Sequence, residues 1–239
     1  MSSEDETDNT PEAADNPTGD PPDTASKNGE DGPRTVAYRG ATSDPTFGYL
    51  LALALSIGLT PLLPDNADLR YTVTWGALAL FGVLAWLMGN SARIERETPE
   101  NLGWGIIFGV IVGAPILAFG GSLLTDSARL MFPAMSTGTV LAYLLFVMPL
   151  GETLFFRAVL QENVAFLRVG LQGSLWSIVL FFPVIWGDLL SSPAVGVLIA
   201  LVLVLMNLIY SYVRQRNGLA AAWVCQIVVN LVVVFLPFL

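Results

Sequence analysis

Seven stretches of about twenty mostly apolar residues follow one another with short breaks: 46–64, 71–90, 103–124, 137–157, 172–190, 193–213 and 218–239. Twenty helical residues rise about 30 Å, the thickness of a bilayer's hydrocarbon core. Lipid offers no hydrogen-bond partner to a backbone, and a helix satisfies its own amides within one segment. The pattern therefore predicts an all-α fold, a polytopic transmembrane helix bundle of about seven spans. The 54% share of hydrophobic residues is too high for an ordinary soluble domain and agrees with this.

The polar part of the chain is concentrated at one end. Eleven of the twenty acids lie within the first 46 residues, beside only Lys27, Arg34 and Arg39 among the bases. That segment is also rich in Pro, Ser and Thr and has no aromatic residue before Tyr38. It has too little apolar surface to offset its ordering entropy, so a disordered acidic tail is expected over 1–45. It has neither the basic start nor the apolar core of a signal peptide. Such a tail suits a salt-rich cytoplasm, as in a halophile. The remaining divisions are N-terminal transmembrane helices over 46–136 and a core over 137–239.

Seven spans place Lys27, Arg34, Arg39, Arg93, Arg96, Arg157, Arg168, Arg214 and Arg216 on one side, and Arg70 and Arg129 on the other. The excess of bases marks the cytoplasmic side. The expectation is a multi-pass cell-membrane protein with its N-terminus cytoplasmic and its C-terminus external. The loops are short, so any chemistry belongs within or at the membrane.

Residue types exclude several chemistries. The chain has no histidine, which removes His-based triads, imidazole proton relays and His-ligated zinc. Its one cysteine, Cys225, permits no internal disulfide and reads as a buried, inert thiol. No metal and no cofactor is expected. The lipid bilayer is the expected environment, a nucleic-acid partner is not expected, and the oligomeric state is open.

The fourth run ends in Gly151-Glu152-Thr153-Leu154-Phe155-Phe156-Arg157. Ionisable groups at membrane depth are candidates for function. Pro149 and Gly151 should loosen the helix here and free carbonyls beside the carboxylate. Glu152 and Arg157 stand about 140° apart on a regular helix. Thr153, at i,i+4 from Arg157, offers a hydroxyl and no charge. Two readings stand: both residues at the cytoplasmic interface with Arg157 snorkelling, or Glu152 as a general base activating water. Nearness to the helix end favours the first.

Three further features carry polar groups into apolar runs. Gln226 and Asn230 share a helix face and read as interhelical glue or as donors to an oxyanion. Trp186-Gly187-Asp188 reads as an interfacial anchor with Asp188 in water. Asn207 is either interhelical glue or a cavity lining.

Taken together, these segments resemble the CPBP family of intramembrane endopeptidases, which includes the CAAX-type prenyl-protein endopeptidases and abortive-infection relatives. The family's Glu-Glu-x-x-x-Arg is similar to Glu152-Thr153 through Arg157. Its Phe-x-x-x-His matches the spacing of Phe182 to Trp186. Its His-x-x-x-Asn matches Gln226 to Asn230, preceded by Arg216-Asn217-Gly218. The resemblance covers about 137–239; the first three spans show no motif. It implies a water held and activated by a Glu and a His, with a second His and an Asn assisting. Carried over position by position, Glu152, Arg157 and Asn230 remain, whereas Thr153, Trp186 and Gln226 replace the second Glu and the two histidines.

An indole donates but cannot accept, so Trp186 cannot hold the proton of an activated water. Gln226 can still donate to an oxyanion. Loss of a positioned acid or base lowers rates by about 10²–10⁴-fold. The expectation is a degenerate member, inactive or impaired, that binds a transmembrane or lipidated peptide. The alternatives are a working endopeptidase dependent on Glu152, or a small transporter or assembly subunit whose polar residues line a path or an interface.

Overall fold

The computed structural model describes residues 45–87 and 98–239, without the side chains of 163 and 184–191. The acidic tail, apart from its last residue, and most of the charged loop 91–102 lie outside these residues. The described residues form α1 (Pro45–Leu62), α2 (Ala67–Leu87), α3 (Pro99–Met131), α4 (Thr137–Leu160), α5 (Phe166–Ser191), α6 (Pro193–Asn217) and α7 (Leu219–Phe238). All seven are long and apolar enough to cross a membrane, and no strand occurs among the described residues. The fold is an all-α transmembrane bundle, and the protein is a multi-pass membrane protein.

Two of the boundary differences from the sequence expectation bear on the fold. Residues 125–136 are not a connection throughout: α3 continues through Asp126 and Arg129 to Met131. Its 33 residues would rise about 50 Å if straight, well beyond the bilayer core. The helix is instead broken at Gly121, whose φ of 44° and ψ of −129° are non-helical. Only glycine enters such a conformation without strain. The second difference is in α4, which runs past Arg157 to Leu160, with Gln161–Asn163 adding a further short turn.

The helix that carries Gln226 and Asn230 is fixed by a row of glycines. Gly105, Gly109 and Gly113 recur every four residues on α3 and face α7. A Cβ at Gly109 would stand 2.6 Å from Val228 Cβ, and one at Gly113 would stand 3.0 Å from Val232 Cβ. At Gly105 it would meet the carbonyl of Ala221. In lipid, apolar side chains gain little by leaving their surroundings, so close backbone approach and packing hold helices together. This small-residue packing face lies outside the segment that carries the family resemblance.

Two apolar clusters flank the polar residues. One is aromatic: Tyr71 packs on Trp75, Phe132, Tyr143 and Phe181 with ring centroids 5.1–6.4 Å apart, mostly edge to face. The other joins Val112, Met206, Tyr210, Val213, Cys225 and Val229. Outward positions such as Ile111, Val197 and Leu201 remain exposed, as a lipid-facing surface requires.

Candidate functional site

Helix α4 contains two π-helical stretches, Tyr143–Val147 and Thr153–Leu160. Between them lies Pro149, which has no N–H to donate. The i→i+5 repeat of a π turn brings residues five apart close together, unlike a regular helix. Arg157 accordingly folds back on Glu152, and its Nη1 donates to the Glu152 carbonyl at 3.3 Å. Both side chains are 1% exposed. This corrects the interfacial reading: Arg157 does not snorkel, because the bundle closes over it.

The Glu152 carboxylate is held from two directions. Gly151 lets α2 approach, since a Cβ there would stand 3.0 Å from the Trp75 carbonyl. The Trp75 indole Nε1 donates to Glu152 Oε1 at 3.1 Å. From α7, Gln226 Nε2 donates to Glu152 Oε2 at 2.6 Å. Thr153 Oγ1 donates to Gln226 Oε1 at 3.3 Å, so both ends of the amide are used. Trp176 stands beside the same carboxylate but makes no hydrogen bond of normal geometry. Thr153 and Gln226, two of the three substituted positions, thus bond each other next to Glu152.

Arg157 reaches its second partner on α6. Its Nη2 donates to Asn207 Oδ1 at 2.8 Å, and Asn207 Nδ2 donates to Ser177 Oγ at 3.2 Å and to the Leu203 carbonyl at 3.1 Å. Gly173 leaves room for this amide, as a Cβ would stand 2.6 Å from Asn207 Oδ1. The guanidinium lies 5.3 Å from the Tyr210 ring centroid and 5.6 Å from that of Phe156, within cation–π range. Asn207 therefore acts as the interhelical glue that its residue type allowed.

Asn230 is one turn further along α7 and meets different surroundings. Its Nδ2 donates to the Leu144 carbonyl at 3.2 Å and approaches Met148 Sδ at 3.7 Å. Its Oδ1 is buried without a partner. Asn230 borders an apolar cavity of about 310 Å³, lined also by Phe119, Leu144, Leu198, Met206 and Phe181 among others. Glu152 and Gln226 do not line it.

Trp186 and Asp188 lie on α5, but their side chains are outside the described residues. Trp186 is ten residues beyond Trp176, about 15 Å along a helix. The indoles at the Glu152 carboxylate are Trp75 and Trp176, and the sequence reading singled out neither. A signal existed: a buried indole N–H needs an acceptor, and apolar spans offer few.

Residues 133–232 match the Rce1-like family, described as type II CAAX prenyl endopeptidase Rce1-like. No curated protein and no solved structure matches the chain. The matched segment contains Glu152, Thr153, Arg157, Asn207, Gln226 and Asn230, while Trp75 lies outside it. Over this segment, whose Glu152–Arg157 and Gln226–Asn230 motifs meet across α4 and α7, the membrane-embedded chain is similar to the Rce1-like CAAX-type prenyl endopeptidases.

Proposed function

We propose that this protein binds a membrane-embedded or lipidated peptide in its intramembrane cavity and does not hydrolyse it. The observation that carries this reading is the burial of Glu152 and the bonds it accepts among the described residues. Gln226 and Trp75 each occupy one carboxylate oxygen, the group is 1% exposed, and the cavity does not reach it. A general base has to lie within hydrogen-bond reach of the water it deprotonates. No imidazole exists in the chain to share the proton.

The cavity supports the binding half of the proposal. It is bordered by Phe119, 92% exposed, and Leu198, about half exposed, so its mouth faces the side where lipid lies. A helix 10–12 Å across would fit only about 3 Å of its length into this volume. The space suits one apolar chain or side group, and an N–H or O–H beside it would find Asn230 Oδ1 free among the described residues.

The test is reconstitution of the full chain in lipid with transmembrane and CAAX-type peptides, with Glu152→Ala as control. Retained binding without cleavage supports the proposal. Cleavage by wild type and not by Glu152→Ala would establish a glutamate-dependent endopeptidase instead. Absence of both would leave the transporter or assembly-subunit reading.

The proposed orientation keeps the N-terminus cytoplasmic. Arg157 and Arg70 are 1% and 4% exposed and drop out of the charge comparison. Eight bases then stand on one side and Arg129 alone on the other. Impermeant thiol labelling of cysteines placed at 66 and 215 checks this: labelling from outside at 66 only is expected.

A further inference from the structure

A second concavity lies at the other end of the bundle, where α4 turns into α5 and α6 ends. It holds about 260 Å³ and is lined by Gln161, Val164, Ala165, Phe166, Arg214 and Gln215. Two cross-links set its walls. Gln161 Nε2 donates to the Ser211 carbonyl at 2.7 Å, and Arg214 Nε donates to the Arg157 carbonyl at 3.2 Å. With its Nε2 tied in this way, Gln161 keeps Oε1 buried and without a partner.

The recess is rich in donors. Arg214 gives one of its five N–H groups to the Arg157 carbonyl among the described residues, and a guanidinium matches phosphate oxygens in pairs. Helix α5 begins at Phe166, with the Ala165 carbonyl accepting from the Arg168 and Val169 amides. The alanine side chain supplies no acceptor for the first-turn amides, which carry the positive end of a 26-residue helix. Arg168 and Arg216 are exposed on the same end of the bundle. The recess lies where α4 passes into α5 and where α6 ends, at the ends of helices long and apolar enough to span a membrane.

We infer that this recess binds the phosphate of an anionic phospholipid whose headgroup also carries a hydroxyl. The phosphate faces Arg214 and the start of α5, and the hydroxyl donates to Gln161 Oε1. Because Arg214 also holds the carbonyl of Arg157, headgroup binding braces the turn that carries the buried cation. The inference rests on the recess alone and does not depend on whether the cavity at Asn230 binds a peptide.

The experiment uses the full chain in detergent, with the lipids retained through purification counted by native mass spectrometry. Thermal stability is then followed on addition of phosphatidylglycerol, phosphatidylcholine or inorganic phosphate. Wild type should retain and be stabilised by phosphatidylglycerol over phosphatidylcholine. Arg214→Gln should weaken that preference by about fivefold to tenfold, as should Gln215→Glu, which adds a carboxylate at the exposed rim and removes no bond of the fold. Arg216→Gln serves as the control for diffuse surface charge and should change it less than twofold. Equal losses in Arg216→Gln and Gln215→Glu, or no preference in wild type, would overturn the inference. Equal stabilisation by inorganic phosphate would overturn the lipid assignment and leave a free-phosphate site.

Discussion

Gln226 and Asn230 stand one turn apart on α7, are both fully buried and both face α4, yet they serve opposite surroundings. Gln226 spends its donor on the Glu152 carboxylate and its acceptor on Thr153. Asn230 spends its donor on a backbone carbonyl and leaves its acceptor bare beside an apolar cavity. The first amide completes a network; the second borders a space. A buried polar group that is fully paired rigidifies its neighbourhood, whereas an unpaired one beside a cavity is where a ligand gains most. Gln226 is thus part of the scaffold, and Asn230 keeps the open contact.

That contrast can be broken most forcefully at Arg157. Arg157→Met removes the bonds to Asn207 and to the Glu152 carbonyl and both ring contacts, leaving Glu152 without its nearest cation. A loss of about 3–4 kcal/mol is expected in reversible unfolding from mixed micelles. If Arg157→Met unfolds like wild type, the buried network does not stabilise the bundle. Gln226→Ala comes next. It strips the 2.6 Å donor from Glu152 Oε2 and should lower stability by about 2 kcal/mol.

Trp75→Phe removes the indole donor and also shrinks a fully buried ring system, so the lost hydrogen bond, about 1 kcal/mol, comes with a packing cost. Whether the two donors act independently is measured by the double variant, whose loss should equal the sum of the single losses if they do. Asn230→Leu is the smallest. It gives up one bond and removes the bare acceptor, and its stability should lie within about 1 kcal/mol of wild type. Its effect should instead appear as weaker peptide binding. A stability loss matching Gln226→Ala would show the two amides to be equivalent and dissolve the comparison.

Much of this was legible beforehand because membrane insertion is decided locally. Each span follows from its own twenty residues, whereas the packing face of Gly105, Gly109 and Gly113 emerged only with α7 laid against it. Glu152, Arg157, Gln226 and Asn230 stood out because polar groups in apolar runs need partners. The length of α3 was misread because Asp126 and Arg129 look like loop residues, while helical structure resumes after the break at Gly121 and runs through them to Met131.

The sequence by itself determined seven membrane helices, the absence of imidazole chemistry and the set of polar residues that had to be satisfied inside. Tertiary structure alone decided which atoms satisfy them. Glu152 meets Trp75 and Gln226 from 77 and 74 residues away, and Arg157 turns back on it only because α4 widens into a π turn. Local composition sets where a helix lies. Its rotation and closeness to its neighbours depend on every contact along it, and these contacts separate the closed network at Gln226 from the open one at Asn230.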